Sequence, residues 1–297
     1  MSEANKLLEA SLSQNTWKTY ENGIGLFLKF RQEFSLNEIW PPPVNHLASF
    51  IAYLAYNSYS ASTSRAYISS LSFSLKYQDL QDTTQSFIVK QMLKGMSRLH
   101  GTIDLRLPIT IDMMLRFPNA LSHVCSSRYE AVMFNAAFSL AFSALLRVGE
   151  FTCINITDSS KIIQFSDVQL QDFDKSITIN LKYSKTDQIG KSCIIHIKSD
   201  TVFPFSAYLA VKEFLQFRPA FDGPLFCHLN KMYLSRRQFL SVLHSSLKFL
   251  GYKTEQFNTH SFRIGAATFL SKLGLSDDEI KRRGRWSSNS YQRYIRL

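Results

Sequence analysis

Cysteine is scarce and scattered in this chain. Cys125, Cys153, Cys193 and Cys227 are the four present, and none stands in the close pairs that build a zinc site. Free thiols in a reducing compartment are expected. No apolar run approaches the about 18 residues that a membrane span requires. The opening residues, MSEANKLLEA, lack the basic, apolar and small-residue series of a secretory signal. Together these absences predict a soluble, intracellular protein with no membrane partner. Acidic residues are also in deficit: 23 Asp and Glu face 34 Lys and Arg, leaving a formal charge of +11. That balance favours a polyanionic partner. No internal repeat and no low-complexity tract interrupts the 297 residues, a length that accommodates two buried cores.

The charge is unevenly spread. Residues 1–106 hold 10 basic and 8 acidic side chains, whereas residues 107–297 hold 24 and 15, so the second part should bind the anion. Helical periodicity dominates the first part. SQNTWKTYENGIGLFLKFRQEF presents Trp17, Tyr20, Ile24, Phe27, Leu28 and Phe30 as one stripe, with Asn15 or Thr16 as a cap. Pro41, Pro42 and Pro43 break the chain, and VNHLASFIAYLAYN, ASTSRAYISSLSFSLKYQ and TQSFIVKQMLKGMSRLHG give three more helices, the last closed by Gly101. The period is lost around HGTIDLRLPIT, which places a linker at residues 100–108 and divides the chain into a helical domain, 1–103, and a second domain, 108–297.

The second domain is expected to be mixed. TIDMMLRFPNAL and the nearly all-apolar YEAVMFNAAFSLAFSALLRVGEFTCI read as helices, with Arg147 and Glu150 at the end of the latter. FSDVQLQDF, SITINLKYS and KSCIIHIKS alternate with a period of two. The last two flank KTDQIG and should form a hairpin with Lys185 at its turn. Helices resume with FSAYLAVKEFLQFRPA, SRRQFLSVLHSSLKFLGY, THSFRIGAATFLSKLG and GLSDDEIKRRG. Thr259 is a candidate cap for the third of these, whose Phe262, Ala266, Phe269, Leu270 and Leu273 should face the core. Ser276 and Glu279 form a candidate capping box for the fourth.

Phosphodiester chemistry needs fixed cations or donors around a phosphorus that gains negative charge, and arginine supplies a permanently charged fork for two oxygens. His260 and Arg263 lie three apart on one helical face and can address one phosphate; alternatively they are a solvated helix start. Trp286 offers an indole N–H, and Tyr291 and Tyr294 follow at helical spacing, as nucleophile candidates or as core. A phenol with an ordinary pKa of about 10 needs cations nearby to react, and Arg285 and Arg293 are candidates to supply them.

Arginine in LLRVGE, lysine in the SKTDQIG turn, HSFR, an aromatic donor after GR, then tyrosine: this order resembles the tyrosine recombinase (site-specific integrase) family, most strongly over residues 140–297. The form GRWSSNSYQRYIR is similar to recombinases of eukaryotic mobile elements, of the crypton and tyrosine-recombinase retrotransposon kinds. The resemblance implies a mainly α fold with a small antiparallel β-sheet: an N-terminal helical core-binding domain and an α+β catalytic domain. It assigns Arg147, His260, Arg263 and Trp286 to the non-bridging oxygens, Glu150 to their support, Lys185 to protonation of the leaving 5' oxygen and Tyr294 to nucleophilic attack, with no metal and no other cofactor. Trp286 takes a position held by histidine in most members. Tyr294 follows it by eight residues, where the family commonly has nine, and Tyr291 stays open as the nucleophile.

The implied partner is double-stranded DNA, gripped between the two domains. Lys18, Arg65, Lys94 and Arg98 are candidate contacts in the first domain, and Lys231, Arg236, Arg237, Lys281, Arg282 and Arg283 in the second. The resemblance also implies a homo-oligomer, a dimer on a site and a tetramer in synapsis. Three residues follow Tyr294, so exchange of a C-terminal segment would need a longer chain or another docking element. Nuclear action is implied if the source is eukaryotic. Three other readings stay open: a recombinase-derived DNA-binding protein that does not cut, a type IB topoisomerase, and, most distantly, a structural helical protein with a basic face.

Overall fold

The computed structural model describes residues 3–100, 104–154, 156–183, 192–198 and 202–296. It separates into two compact units, 1–104 and 105–297. The first unit is helical throughout: α1 (Glu3–Ala10), α2 (Gln14–Glu33), α3 (Val44–Tyr56), α4 (Ala61–Tyr77) and α5 (Phe87–Leu99). Serine, whose short hydroxyl reaches a backbone N–H two or three residues on, starts three of them. Ser13, Ser60 and Ser86 accept from the N–H groups of Thr16, Thr63 and Val89. The cap of α2 is therefore Ser13, not Asn15 or Thr16, which lie inside the helix. Pro43, with no N–H to lose, caps α3.

Phe27 and Phe30 of α2, Leu47, Phe50 and Leu54 of α3, Ile68 and Leu71 of α4 and Val89 and Met96 of α5 form this unit's core. Leu28 falls off that stripe and is exposed, because a step of about 100° per residue carries it past the buried arc. α1 was not anticipated; its carbonyl at Glu9 accepts the Trp17 indole N–H at 2.8 Å. Gly101, the expected end of α5, lies outside the described residues.

The second unit opens with α6 (Ile111–Val124) and α7 (Arg128–Ser143). A three-stranded antiparallel meander follows, β1 (Val168–Gln171), β2 (Ser176–Leu181) and β3 (Cys193–Lys198), in the order β1-β2-β3. Ser176 faces Lys198 and Leu181 faces Cys193 across the expected hairpin. Its turn, with Lys185, is outside the described residues. The period of two buries Ile177, Ile179 and Leu181 on one side of the sheet. The unit closes with α8 (Ala207–Phe217), α9 (Arg236–Phe249), α10 (Ser261–Lys272), α11 (Asp277–Gly284) and a 3-10 turn at Asn289–Tyr294. Among the described residues, no helix is long and apolar enough to cross a membrane.

Aromatic packing fixes the helices that carry the chemistry. Phe138 of α7 lies 5.1 Å from Phe117 of α6, 5.2 Å from Phe239 of α9 and 5.1 Å from Phe262 of α10, centroid to centroid. Edge and tilted pairs of this kind contribute about 0.5–1.5 kcal/mol each beyond the area they bury. Phe262 precedes Arg263, so one ring cluster sets the start of α10.

That start differs from expectation. His260, not Thr259, occupies the cap position, and Thr259 is buried. The entry turn is held instead by Asn258, whose carboxamide oxygen accepts the His260 N–H at 2.8 Å, and by Ser261, whose hydroxyl accepts the Asn258 N–H at 3.0 Å. Leu273 is exposed because it stands at the cap after the last turn of α10. Ser276 caps α11 by accepting the Glu279 N–H, but the Glu279 carboxylate turns to Arg282 and Arg283. The reciprocal half of the expected capping box is therefore absent.

Residue 109 crosses α10 closely: its N–H donates to the Ser261 carbonyl at 3.0 Å, and a Cβ on Gly265 would lie 1.9 Å from the Ile109 carbonyl oxygen. Gly265→Ala must push that segment away, at about 1–3 kcal/mol for overpacking. Thermal unfolding of the second unit should fall by several degrees; an unchanged melting temperature would mean the crossing is looser than described.

Candidate active site

α7 ends at Ser143, Leu145 turns into the left-handed region at φ 46°, and the carbonyls of Ala144 and Leu145 lie just beyond the last helical turn. Two guanidiniums cover them. Arg263 Nη1 donates to the Leu145 carbonyl. Arg285 donates to Ala144 at 3.0 Å and to Leu145 at 3.3 Å. Cations at a helix C-terminus also meet the negative end of its dipole.

Arg147 follows two residues later in an extended conformation, φ −77° and ψ 140°, leading into a 3-10 turn at Val148–Glu150. The turn brings Glu150 back. Its carboxylate accepts the Arg147 N–H at 2.8 Å and Arg147 Nη1 at 3.0 Å. It also accepts Arg285 Nη2 at 2.8 Å. Glu150 is 3% exposed, against 18% for the Arg147 side chain and 12% for that of Arg285. Three arginines and one carboxylate leave this corner with two uncompensated positive charges, the condition that an anionic ligand satisfies.

Arg263 is fully buried, 0% exposed. Besides Leu145 it donates to the Gly284 carbonyl at 3.0 Å. Its Cζ lies 4.6 Å from the Trp286 ring and 5.5 Å from that of Tyr294, within range of cation–π attraction. Burial, then the nearby Arg147 and Arg285, pull its pKa below the usual arginine range, while Glu150 and Tyr294 act the other way. Arg285 is likewise lowered by burial, with Glu150 opposing. Close approach of the indole requires Gly284, where a Cβ would lie 1.8 Å from a Trp286 ring carbon.

The aromatic side of the site follows. The Tyr294 ring is 5.2 Å from Trp286 and 6.2 Å from His260. Thr268 of α10 anchors this segment, donating to the Tyr294 carbonyl at 3.2 Å and accepting the Arg296 N–H at 3.0 Å. Arg147, Glu150, His260, Arg263, Trp286 and Tyr294 are thus brought together in the second unit. Lys185 lies outside the described residues. Tyr291 points elsewhere: it is 1% exposed, packs 6.3 Å from Trp286 and lies under Lys281 Nζ at 5.3 Å. The Asp277 carboxylate and burial push its pKa up.

Arg285 belongs to this cluster and was expected only as a nearby cation. The signal that could have found it is an arginine directly after the end of a helix, a left-handed position usually filled by glycine or asparagine. Among the expected anion contacts, Lys18, Arg65, Lys94 and Arg98 are exposed on the first unit. Arg65 of α4 donates to the Ser97 hydroxyl of α5, beside Lys94 and Arg98. Lys231, Arg236 and Arg237 are exposed on the second unit. Lys281, Arg282 and Arg283 are not bare cations: they pair with Asp278 at 3.7 Å and with Glu279 at 2.7 and 2.8 Å.

Residues 5–77 match the phage integrase N-terminal SAM-like domain family. Several solved structures share the fold over almost the whole chain. The XerH site-specific recombinase bound to its difH substrate is 18% identical over 93% of this chain and 75% of its own, with a TM-score of 0.65. The Tn1549 transposon integrase in complex with circular intermediate DNA is 14% identical over 99% and 94%, at 0.65. A lambda integrase dimer bound to a core site is 16% identical over 98% and 92%, at 0.66. At these identities the likeness is one of fold. No curated protein matches the chain.

The two tyrosines should separate by stability. Removing a buried aromatic costs about 3–5 kcal/mol, so Tyr291→Ala should melt many degrees early. Tyr294→Phe should leave the melting curve within about 0.5 kcal/mol of wild type. Equal destabilisation by both would contradict the division between core and site.

Proposed function

We propose that the chain is a tyrosine recombinase, a DNA site-specific recombinase or integrase that cuts and rejoins strands through a 3'-phosphotyrosyl intermediate, serving integration or excision of a mobile element. The observation that carries this reading is the position of Arg263 between the end of α7 and the Trp286 and Tyr294 rings, with Arg147 tied to the same corner through Glu150. The shared fold with DNA-bound recombinases supports it.

In this mechanism the Tyr294 hydroxyl gives up its proton to solvent as its oxygen attacks the scissile phosphorus, forming the O–P bond as the bond to the 5' oxygen breaks. Charge gathers on the non-bridging oxygens, where fixed donors matter most. Arg147, Arg263, His260 and the Trp286 indole N–H receive that charge, and Lys185 gives its proton to the leaving 5' oxygen. The freed 5'-hydroxyl then attacks the phosphotyrosine of a partner strand, restoring the diester and releasing the tyrosine. The bond count is unchanged through the cycle, so the reaction needs no nucleotide, and the arginines take the place a metal would have in neutralising charge. Strand exchange requires more than one copy of the chain, a dimer on each site and a tetramer at synapsis. The GRWSSNSYQRYIR segment favours an element of the crypton or tyrosine-recombinase retrotransposon kind, acting in the nucleus of a eukaryotic host.

Tyr294→Phe should abolish covalent trapping on suicide DNA made from the element's own termini while leaving binding intact. Undiminished trapping would refute the assignment, and salt-sensitive binding by the wild type with no adduct would favour a non-cutting derivative. Binding itself should weaken steeply with salt. Each phosphate contact contributes about 0.9 to the slope of log affinity against log salt, so Lys94→Ala with Arg98→Ala should flatten that slope by about 2. An unchanged slope would remove this face of α5 from the DNA contact.

A further inference from the structure

Arg285 occupies a position that is unfavourable for an arginine in three ways. Its backbone is left-handed, φ 56° and ψ 46°, its guanidinium is largely buried with a side-chain exposure of 12%, and its buried Nε has no hydrogen-bond partner. Glycine would make the same turn without strain. A residue kept against such costs is held by what its side chain does, and strained positions of this kind cluster at functional sites.

What the side chain does is visible in its bonds. Arg285 Nη2 meets Glu150 Oε2 at 2.8 Å, the same oxygen that accepts the Arg147 N–H at 2.8 Å, while Glu150 Oε1 accepts Arg147 Nη1 at 3.0 Å. The other two bonds pin the guanidinium to the Ala144 and Leu145 carbonyls. Arg285 is thus fastened at the end of α7 and fixes the plane of the Glu150 carboxylate, which in turn aims Arg147. Of the three arginines, Arg147 has the most exposed side chain, and among the described residues Glu150 is that side chain's hydrogen-bond partner. Arg147 is therefore the guanidinium free to extend its remaining donors to a phosphate.

We infer that Arg285 is a positioning residue for the reaction, acting through Glu150 to orient Arg147 toward the scissile phosphate. This rests on the recombinase reading. It assigns Arg285 no contact with DNA and gives a reason for the buried ion pair beyond holding the fold together.

The test uses the full chain, single-turnover cleavage of a suicide duplex, DNA binding and thermal melting. Arg285→Lys keeps the charge and loses the fork, and Arg285→Gly relieves the turn; the first covers the case in which the second folds poorly. Both should bind DNA within about threefold of wild type. Both should cleave about 100-fold more slowly, the scale of loss from a small misplacement of a reacting group. Combined with Arg147→Lys, the Arg285→Lys change should add less than about threefold, because two residues acting through one path are not additive. A purely structural role would show binding and cleavage falling together, with the full loss repeated in the Arg147→Lys background; either result overturns the inference, as does cleavage by Arg285→Lys at the wild-type rate. Absence of any adduct with the wild type would instead overturn the recombinase reading, and this inference with it.

Discussion

The Glu150 carboxylate joins two parts of the chain that are 135 residues apart, the loop after α7 and the segment after α11. A buried carboxylate is expensive to desolvate, and that cost is offset only when strong, well-directed partners surround it. Here the partners are two guanidiniums and a backbone N–H. The pair is not a stability device in any simple sense, since apolar residues of similar size often serve a core as well. Its effect is directional: it holds two cations at close quarters that would otherwise repel each other, with a third, Arg263, alongside.

The remaining geometry serves the same corner. The ring cluster around Phe138 fixes the start of α10, and Gly265 lets residue 109 cross it. Gly284 then lets the indole of Trp286 lie against its own backbone, over the Arg263 guanidinium. The cationic floor is rigid because it is built on packed helices and charged hydrogen bonds. Tyr294 sits on a short 3-10 turn tied to α10 through Thr268. A fixed electrostatic floor beneath a phenol on a light tether is an arrangement suited to stabilising negative charge without first having to reorganise.

Much of this was legible in the residues. The period of two located the strands β1, β2 and β3, and the two segments that flank KTDQIG pair antiparallel as a hairpin should. Arg147, Glu150, His260, Arg263, Trp286 and Tyr294 could be picked out by order and type, and they converge. Local competition was harder to read: Ser13 caps α2 ahead of two other candidates, Asn258 and Ser261 displace Thr259 at α10, and Leu273 falls just beyond a helix end. Long-range partnership was not legible at all. Nothing in the spacing of GRW tells that Arg285 reaches back to Glu150. Nothing in KRR tells that Glu279 takes up two of those charges. Tyr291 and Tyr294 are equivalent in type and three apart, and their separation into core and site arises from which side of the last turn faces Asp277 and which faces Arg263.

Whether Tyr294 becomes covalently joined to DNA is read by mass-spectrometric mapping of the nucleotide-bearing peptide after reaction of the wild-type chain with suicide DNA. A phosphodiester on Tyr294 is the expected result. A nucleotide found on Tyr291, or on any other residue, would contradict it.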